Sequence, residues 1–321
     1  MPTIGIIGFK TDSHVQLLKT EIEQRGQTAL IIDFFNYPRF NLLSLDQAAS
    51  YDDIHVDAPI RLSSIDVLFI RNFGYSYPSG KGGRMGLIEE STALRDNLTF
   101  QYSAVRMMAN RVPVINRLDS SLYHRLKSYQ FFLLHRQGVS VPQTLSTNDI
   151  EEIEAFLRRC PRGAVVKPAT SGAEVVMADR EFLARNRDIL KARPFLFQQY
   201  VKGTSLRAYT LGGEIVSIAE IKHDQSAVDW REKETGIEPW TAEEALKQEI
   251  ARAVRILGLA FCSVDIEYDA YTGKYYLLDF SPAPLYSGWS SVTNTDITAM
   301  VVEYLLRVID HGDTIWMEHR R

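Results

Sequence analysis

The chain has 321 residues, of which 45% are hydrophobic and 24% charged, with a formal net charge of −4. This length accommodates two or three compact units of about 100 to 200 residues each, and the composition excludes a disordered or fibrous chain. The charge balance offers no footprint for nucleic acid, no apolar run approaches the roughly 20 residues needed to cross a bilayer, and two cysteines, Cys160 and Cys262, exclude a disulfide scaffold or a cysteine-rich zinc site. A cytoplasmic protein without membrane or nucleic-acid partners is expected.

The opening MPTIGIIGFK lacks the basic region and cleavage site of a signal peptide and reads as a first strand. TIGIIGF, TALIIDF and IDVLFIRNF are short apolar runs, and HVQLLKTEIEQRG between the first two has apolar residues at helical spacing, with Asp12 and Ser13 as N-caps and Gly26 at its end. Such alternation predicts parallel strands in a doubly wound α/β unit. Gly5 and Gly8 lack the third glycine of a dinucleotide loop. Residues 75–86, YSYPSGKGGRMG, have no periodicity and read as a loop, either functional or disordered. A long helix over 87–110 and a short strand ending at Asn116 follow.

From Asp119, SSLYHRLKSYQFFLLHRQG reads as one amphipathic helix closed by Gly138, followed by the strand VSVPQTL, a helix near 148–159 and the lysine-bearing strand AVVKP. The remainder alternates the strands FLFQQYV, LRAYTLG and EIVSIAEIKH with the helix TAEEALKQEIARAVRILG and the hairpin FCSVDIEYDAYTGKYYLLDFS. A last helix near 295–310 and a basic tip close the chain. Helices mixed with antiparallel hairpins predict an α+β unit after the α/β one. The expected boundaries are an α/β domain over 1–112, a subdomain with the two lysines over 113–195, and a C-terminal subdomain with the metal site over 196–321.

Several residues stand where chemistry needs them. Pro168 stops the strand at Lys167, so the amine emerges at a strand end, and the small residues Thr170, Ser171 and Gly172 suit a turn whose backbone N–H groups cover a phosphate. Asp265 and Asp279 place one carboxylate on each strand of the hairpin, which suits Mg²⁺, and alternation keeps Ser281 on the face of Asp279. Arg207 and Arg231 offer five-donor forks for oxyanions. Lys222 and His223 close their strand, facing either a cleft or solvent, and Cys262 lies in an apolar run as a small core residue.

The order of these parts, with Lys127 on a helix between Asn116 and the VSVPQT strand, resembles the ATP-grasp superfamily and, within it, the RimK-like amino-acid ligases. The resemblance rests on motifs over about 113–310 and on architecture before that. It implies an α/β pre-ATP-grasp domain followed by an α+β ATP-grasp fold that uses ATP and Mg²⁺. In it, Lys127, Lys167 and the turn Thr170–Ser171–Gly172 would hold phosphate, with Lys222 also at the nucleotide. Gln198, Gln199, Tyr200 and Val201 would lie beside the adenine, and Arg207 and Arg231 would act on the transferring phosphoryl group or the donor carboxylate. Asp265, Asp279 and Ser281 would bind the metal. This sequence departs in having one glycine in the phosphate turn, Gln199 where relatives carry glutamate, Ser205 where an acid is common, and Asp279–Phe280–Ser281 where relatives read glutamate, any residue, asparagine. The implied reaction is amide formation through an acyl phosphate on a small amino acid or peptide. Two rivals are a graspetide-type ligase forming side-chain esters or amides on a ribosomal precursor, and a nucleotide-binding protein without turnover. Homo-oligomerisation is left open.

Overall fold

The structure, a computed structural model, describes residues 1–34, 43–44, 53–56, 58–72, 87–168, 175–224, 226–229 and 233–311. The chain forms two compact units, one of Met1–Leu118 with Asp296–Arg321, the other of Asp119–Thr295.

In the first unit, β1 (Thr3–Ile7), α1 (Ser13–Gln24) and β2 (Thr28–Ile32) follow the predicted pattern. The Asp12 carboxylate caps α1 by accepting the His14 N–H at 2.7 Å, and Val15, Leu18 and Ile22 turn its apolar stripe into the core. Three short strands, β3 (Leu43–Ser44), β4 (Asp53–Val56) and β5 (Ala58–Arg61), make a small antiparallel sheet. β6 (Val67–Ile70), α2 (Leu87–Ala109) and β7 (Val114–Ile115) complete a parallel sheet ordered β2-β1-β6-β7. The C-terminal helix, Ile297–His311, returns to this unit and packs on α1 and β6, burying Val301, Val302, Leu305 and Val308.

The sequence predicted one helix from Asp119 to Gly138, and the structure breaks it into α3 (Leu118–Leu122) and α4 (Lys127–Arg136). Between them the Arg125 and Leu126 N–H groups bond back to Leu122, closing a tight turn. Tertiary contacts override the helical pattern here: His124 in the turn and Lys127 at the start of α4 are both drawn to the strand carrying Asp279.

The second unit continues with β8 (Thr144–Thr147), α5 (Ile150–Arg159), β9 (Ala164–Pro168), β10 (Val176–Met177), α6 (Arg180–Arg185), α7 (Arg187–Ala192) and β11 (Phe195–Gln199), whose strands form the antiparallel order β10-β9-β11-β8. Then come β12 (Thr204–Leu211), β13 (Glu214–His223), β14 (Glu234–Pro239), α8 (Glu244–Leu257), β15 (Phe261–Asp269), β16 (Lys274–Ser281) and α9 (Ser287–Thr293), with a second antiparallel sheet ordered β14-β13-β12-β15-β16. Leu206, Ala208, Val264, Ile266, Leu277 and Phe280 pack against Leu246, Ile250, Val254 and Leu257 of α8. Strand alternation therefore sends Ser205, Arg207, Asp265 and Glu267 to the opposite face.

β16 does the same by bulging out one surplus residue. Asp265 pairs with Asp279 but Ile266 pairs with Leu277, so Leu278 is bulged out of register. The buried positions Leu277 and Phe280 stay on the helix-covered face, and Asp279 is carried to the other one. Among the described residues no helix is long and apolar enough to cross a membrane.

Candidate functional site

The polar face of the larger sheet gathers a set of facing charges. Asp265 of β15 and Asp279 of β16 are direct cross-strand partners, an arrangement that like charges make unfavourable unless each is neutralised. Arg207, cross-strand from Asp265 on its other side, clamps that carboxylate with two bonds, Nε to Oδ1 at 2.7 Å and Nη2 to Oδ2 at 3.0 Å. Burial disfavours the Arg207 cation, but Asp265 more than compensates and holds its pKa above the ordinary arginine value. The Lys127 ammonium donates to Asp279 Oδ1 at 2.5 Å from the buried start of α4. Burial also opposes the charge on Asp279, yet Lys127, then Lys167 and His124, outweigh it and keep the carboxyl well below the usual carboxylate range.

Lys167 reaches the cluster from β9. Its Nζ donates to Gln198 Oε1 at 2.9 Å and lies 5.3 Å from the Phe131 ring centre, so α4 supplies both the first lysine and an aromatic seat for the second. Gln198 is buried and passes the chain of bonds on to Thr144 Oγ1 at 3.1 Å. The Gln199 N–H bonds to Gln143 and the Tyr200 N–H to Gly163, while Val201 is buried just before Gly203. A Cβ on Gly203 would lie 1.8 Å from the Tyr268 carbonyl oxygen, so the chain leaves β11 for β12 at a point where only glycine fits.

Lys222 is not part of this gathering. It pairs with Glu220 at 2.8 Å and Glu238 at 3.2 Å, and the register of β12 with β13 puts Glu220 opposite Leu206, the helix-covered face, away from Arg207. Ser281 stands opposite Ser263 on the face of Asp279. Thr170, Ser171, Gly172 and Arg231, together with the loop at 75–86, lie outside the described residues.

Two groups that sequence reasoning passed over, His124 and Glu267, also belong to this site, with Ser205 beside the second. His124 donates Nδ1–H to the Phe280 carbonyl at 3.2 Å, and burial, opposed by Asp279 and reinforced by Lys127, lowers its pKa. Ser205 donates to Glu267 Oε2 at 2.8 Å and stands 3.0 Å from His223 Nε2. Burial pushes the Glu267 carboxyl up to about 7, against the hydrogen bonds from Ser205 and the Gly203 N–H. Glu267 was detectable in principle, since it lies two residues beyond Asp265 on one strand. His124 gave no periodic signal because it sits in the helix break.

The donor set sets limits on a metal. Among the described residues no group of three or more His, Cys, Asp or Glu stands together to hold an ion. Two carboxylates and a nearby hydroxyl do not make a protein-only cage. They do fit Mg²⁺, which keeps several waters and shares its remaining positions with phosphate oxygens. The Cys262 thiol, pushed up to about 12 by burial, has no part in this chemistry.

No family model matches the sequence. A probable alpha-L-glutamate ligase of Saccharophagus degradans is 28% identical over 195 residues, a match spanning 56% of this chain and 62% of that relative. The chain thus matches somewhat under two thirds of this curated ligase's length. Two solved structures align over almost the whole chain. PsnB, an ATP-grasp ligase complexed with a minimal precursor, Mg and ADP, is 23% identical with a TM-score of 0.76, covering 96% of this chain and 98% of its own. The macrocyclase MdnC of Microcystis aeruginosa, bound with the precursor peptide MdnA, is 18% identical with a TM-score of 0.77, covering 95% of this chain and 99% of its own. The two-unit α/β architecture with its β-rich second unit is the ATP-grasp fold. The chain has the ATP-grasp fold and is similar in sequence to probable alpha-L-glutamate ligases.

Proposed function

We propose that the protein is an ATP-dependent ligase that modifies a peptide, joining a side-chain carboxylate to a hydroxyl or amine in the manner of graspetide ligases. The observation that carries the ligase reading is the convergence of Lys127, Lys167 and Arg207 on the facing pair Asp265 and Asp279. Three cations and two carboxylates on one face suit a triphosphate and its divalent ion, which neither sheet could hold alone. The peptide reading draws its support from closeness of fold. The precursor-bound ligases superpose with TM-scores of 0.76 and 0.77, whereas a RimK domain protein of Sphaerobacter thermophilus, aligned over the same 95% of the chain, reaches 0.63.

In this reading Lys127 and Lys167 bind and orient the phosphates, while Gln198 to Val201 line the path to the base. Asp265 and Asp279 would hold Mg²⁺, with Ser281 beside them; the ion would supply charge neutralisation at the phosphate oxygens. The donor carboxylate attacks the terminal phosphorus, giving an acyl phosphate and ADP. The hydroxyl or amine then attacks the acyl carbon, phosphate leaves, and the nucleophile's proton is lost to solvent. Arg207, and Arg231 by resemblance, would stabilise the oxyanions, and no protein nucleophile is required.

The test is to incubate the protein with ATP, Mg²⁺ and either precursor peptides encoded beside its gene or a panel of free amino acids, following ADP and product mass. Loss of one water per ADP from a peptide supports the proposal. ADP formed only with glutamate or another free amino acid would return the function to RimK-type amide ligation. ATP binding without ADP under every condition would leave a nucleotide-binding protein without turnover.

A further inference from the structure

Helix α4 starts where its own sequence gives it little reason to start. Asp12, Asp149 and Asp179 cap α1, α5 and α6 through their side chains, whereas the N-cap of α4 is the exposed Leu126, which makes no such bond. Leucine is among the poorest residues at that position. The first helical residue is Lys127, a buried cation at the positive end of the helix dipole, and no acid stands in the first turn to offset it. Nothing in that turn fixes where α4 begins, yet the lysine placed there meets Asp279. A local rule broken at one point marks a functional constraint.

His124 supplies the anchor that the helix lacks. It sits in the turn where the Arg125 and Leu126 N–H groups bond back to Leu122, three residues before Lys127. Its Nδ1 lies 3.2 Å from the Phe280 carbonyl oxygen, which can only accept, so Nδ1 carries the proton. Burial lowers the His124 pKa, Asp279 opposing and Lys127 and Arg125 assisting, so the ring is neutral and Nε2 is the bare nitrogen. The receiving end is rigid. Phe280 is fully buried in the core beneath α8, and its N–H donates at 2.9 Å to the same Asp279 oxygen that Lys127 reaches. His124 and Lys127 are thus fastened to adjacent residues of β16. We propose that His124 is a positioning residue for Lys127: its bond to Phe280 sets where α4 begins and so aims the ammonium at Asp279 and the nucleotide phosphates. The proposal rests on the nucleotide site described above and gives His124 no contact with substrate.

The test is equilibrium binding of a fluorescent ATP analogue, with Mg²⁺, to the intact protein and its variants. His124→Ala should weaken binding by about tenfold, the scale of one lost hydrogen bond expressed as affinity. His124→Asn should bind like the parent, because the asparagine amide nitrogen can stand where Nδ1 stands. His124→Gln, nearer to histidine in volume, carries its amide one methylene too far and should bind like the alanine variant. A merely space-filling role predicts the opposite order. In a Lys127→Ala background, His124→Ala should have no further effect, since a residue that acts through the lysine loses its target with it. NMR of the protein with 15N-labelled histidine should show a ring protonated at Nδ1 whose signals vanish in His124→Asn. Equal weakening in both backgrounds, glutamine outdoing asparagine, an alanine variant that binds like the parent, or a His124 ring protonated at Nε2 would each overturn the proposal and leave the nucleotide site standing. A parent protein that binds no nucleotide would overturn both.

Discussion

Asp265 and Asp279 are each neutralised by a cation from a different element, Arg207 from the neighbouring strand and Lys127 from a helix. Lys167 stands back, held by Gln198 and Phe131 but close enough to lower the pKa of Asp279. Lys167→Ala is therefore expected to raise the nucleotide dissociation constant and to slow turnover by roughly 100-fold, the scale of losing one phosphate-stabilising donor. Equilibrium binding and ADP release measured together check this, and unchanged values would take Lys167 out of the site. Asp279→Asn is expected to lose most Mg²⁺-dependent ADP formation, whereas Ser281→Asn, which adds an amide oxygen, should bind Mg²⁺ at least as well as the parent. Glu267 makes a separate prediction. Its pKa rises from the ordinary 4.5 to about 7 chiefly through burial, so the folded chain holds this proton more firmly than the unfolded chain. Its contribution to stability is complete below 4.5 and is lost as pH rises through about 7. Melting temperatures of Glu267→Gln should then decline less than those of the parent over that interval, and parallel curves would refute the assignment.

At the scale of elements, the turn from β11 into β12 depends on Gly203. Gly203→Ala would drive a methyl into the Tyr268 carbonyl of β15, and a loss of about 3 kcal/mol is expected, the upper end for overpacking, because the opposing atom is backbone. Urea unfolding measures it, and a shift of a few tenths of a kcal/mol would show that the turn can relax. Elements were legible where pattern and caps agreed. α1 shows both its predicted cap Asp12 and its terminal Gly26 at φ 72°, and α8 ends at Gly258 in the left-handed conformation. The hairpin of β15 and β16, expected with one acidic residue on each strand, forms with Gly273 at φ 66° in its turn. The break between α3 and α4 was not legible, because its cause lies in contacts with a strand more than 150 residues away. The same holds for Lys222. It looked equivalent to His223 at the end of one strand, but adjacent residues face opposite sides, and only the pairing of β12 with β13 shows which one reaches Ser205.

Considered whole, the chain crosses from its first unit into the second and comes back. The C-terminal helix buries Ile297, Val301, Val302, Tyr304, Leu305 and Val308, and Arg25 of the α1 C-cap donates to the Ala299 carbonyl at 3.3 Å. A chain stopped after residue 295 would leave the apolar sides of α1 and β6 uncovered. Such a truncation is expected to strip hydrogen-exchange protection from the β1 amides Ile4 to Ile7 while those of β12 and β15 in the second unit stay protected. Equal protection of β1 in both forms would show that the first unit is stable without its last helix. The sequence announced this helix by its apolar period, but not its destination, since an amphipathic helix carries no label for the sheet it will cover.

The bulge at Leu278 makes the acidic strand sensitive to counting as well as to chemistry. With Leu277 fixed in the core, plain alternation would turn Asp279 inward beneath α8 and Phe280 outward toward the charges. One surplus residue reverses that outcome. Deleting the single codon for Leu278, which removes one half-buried side chain and no charge, would place Asp279 directly after Leu277, so plain alternation would then keep Asp279 on the charged face and ADP formation should persist. Replacing Leu278 with alanine keeps the count and should retain most of the rate. If the deletion abolished ADP formation while the alanine variant kept it, the bulge itself would matter more than the side of the sheet on which Asp279 falls.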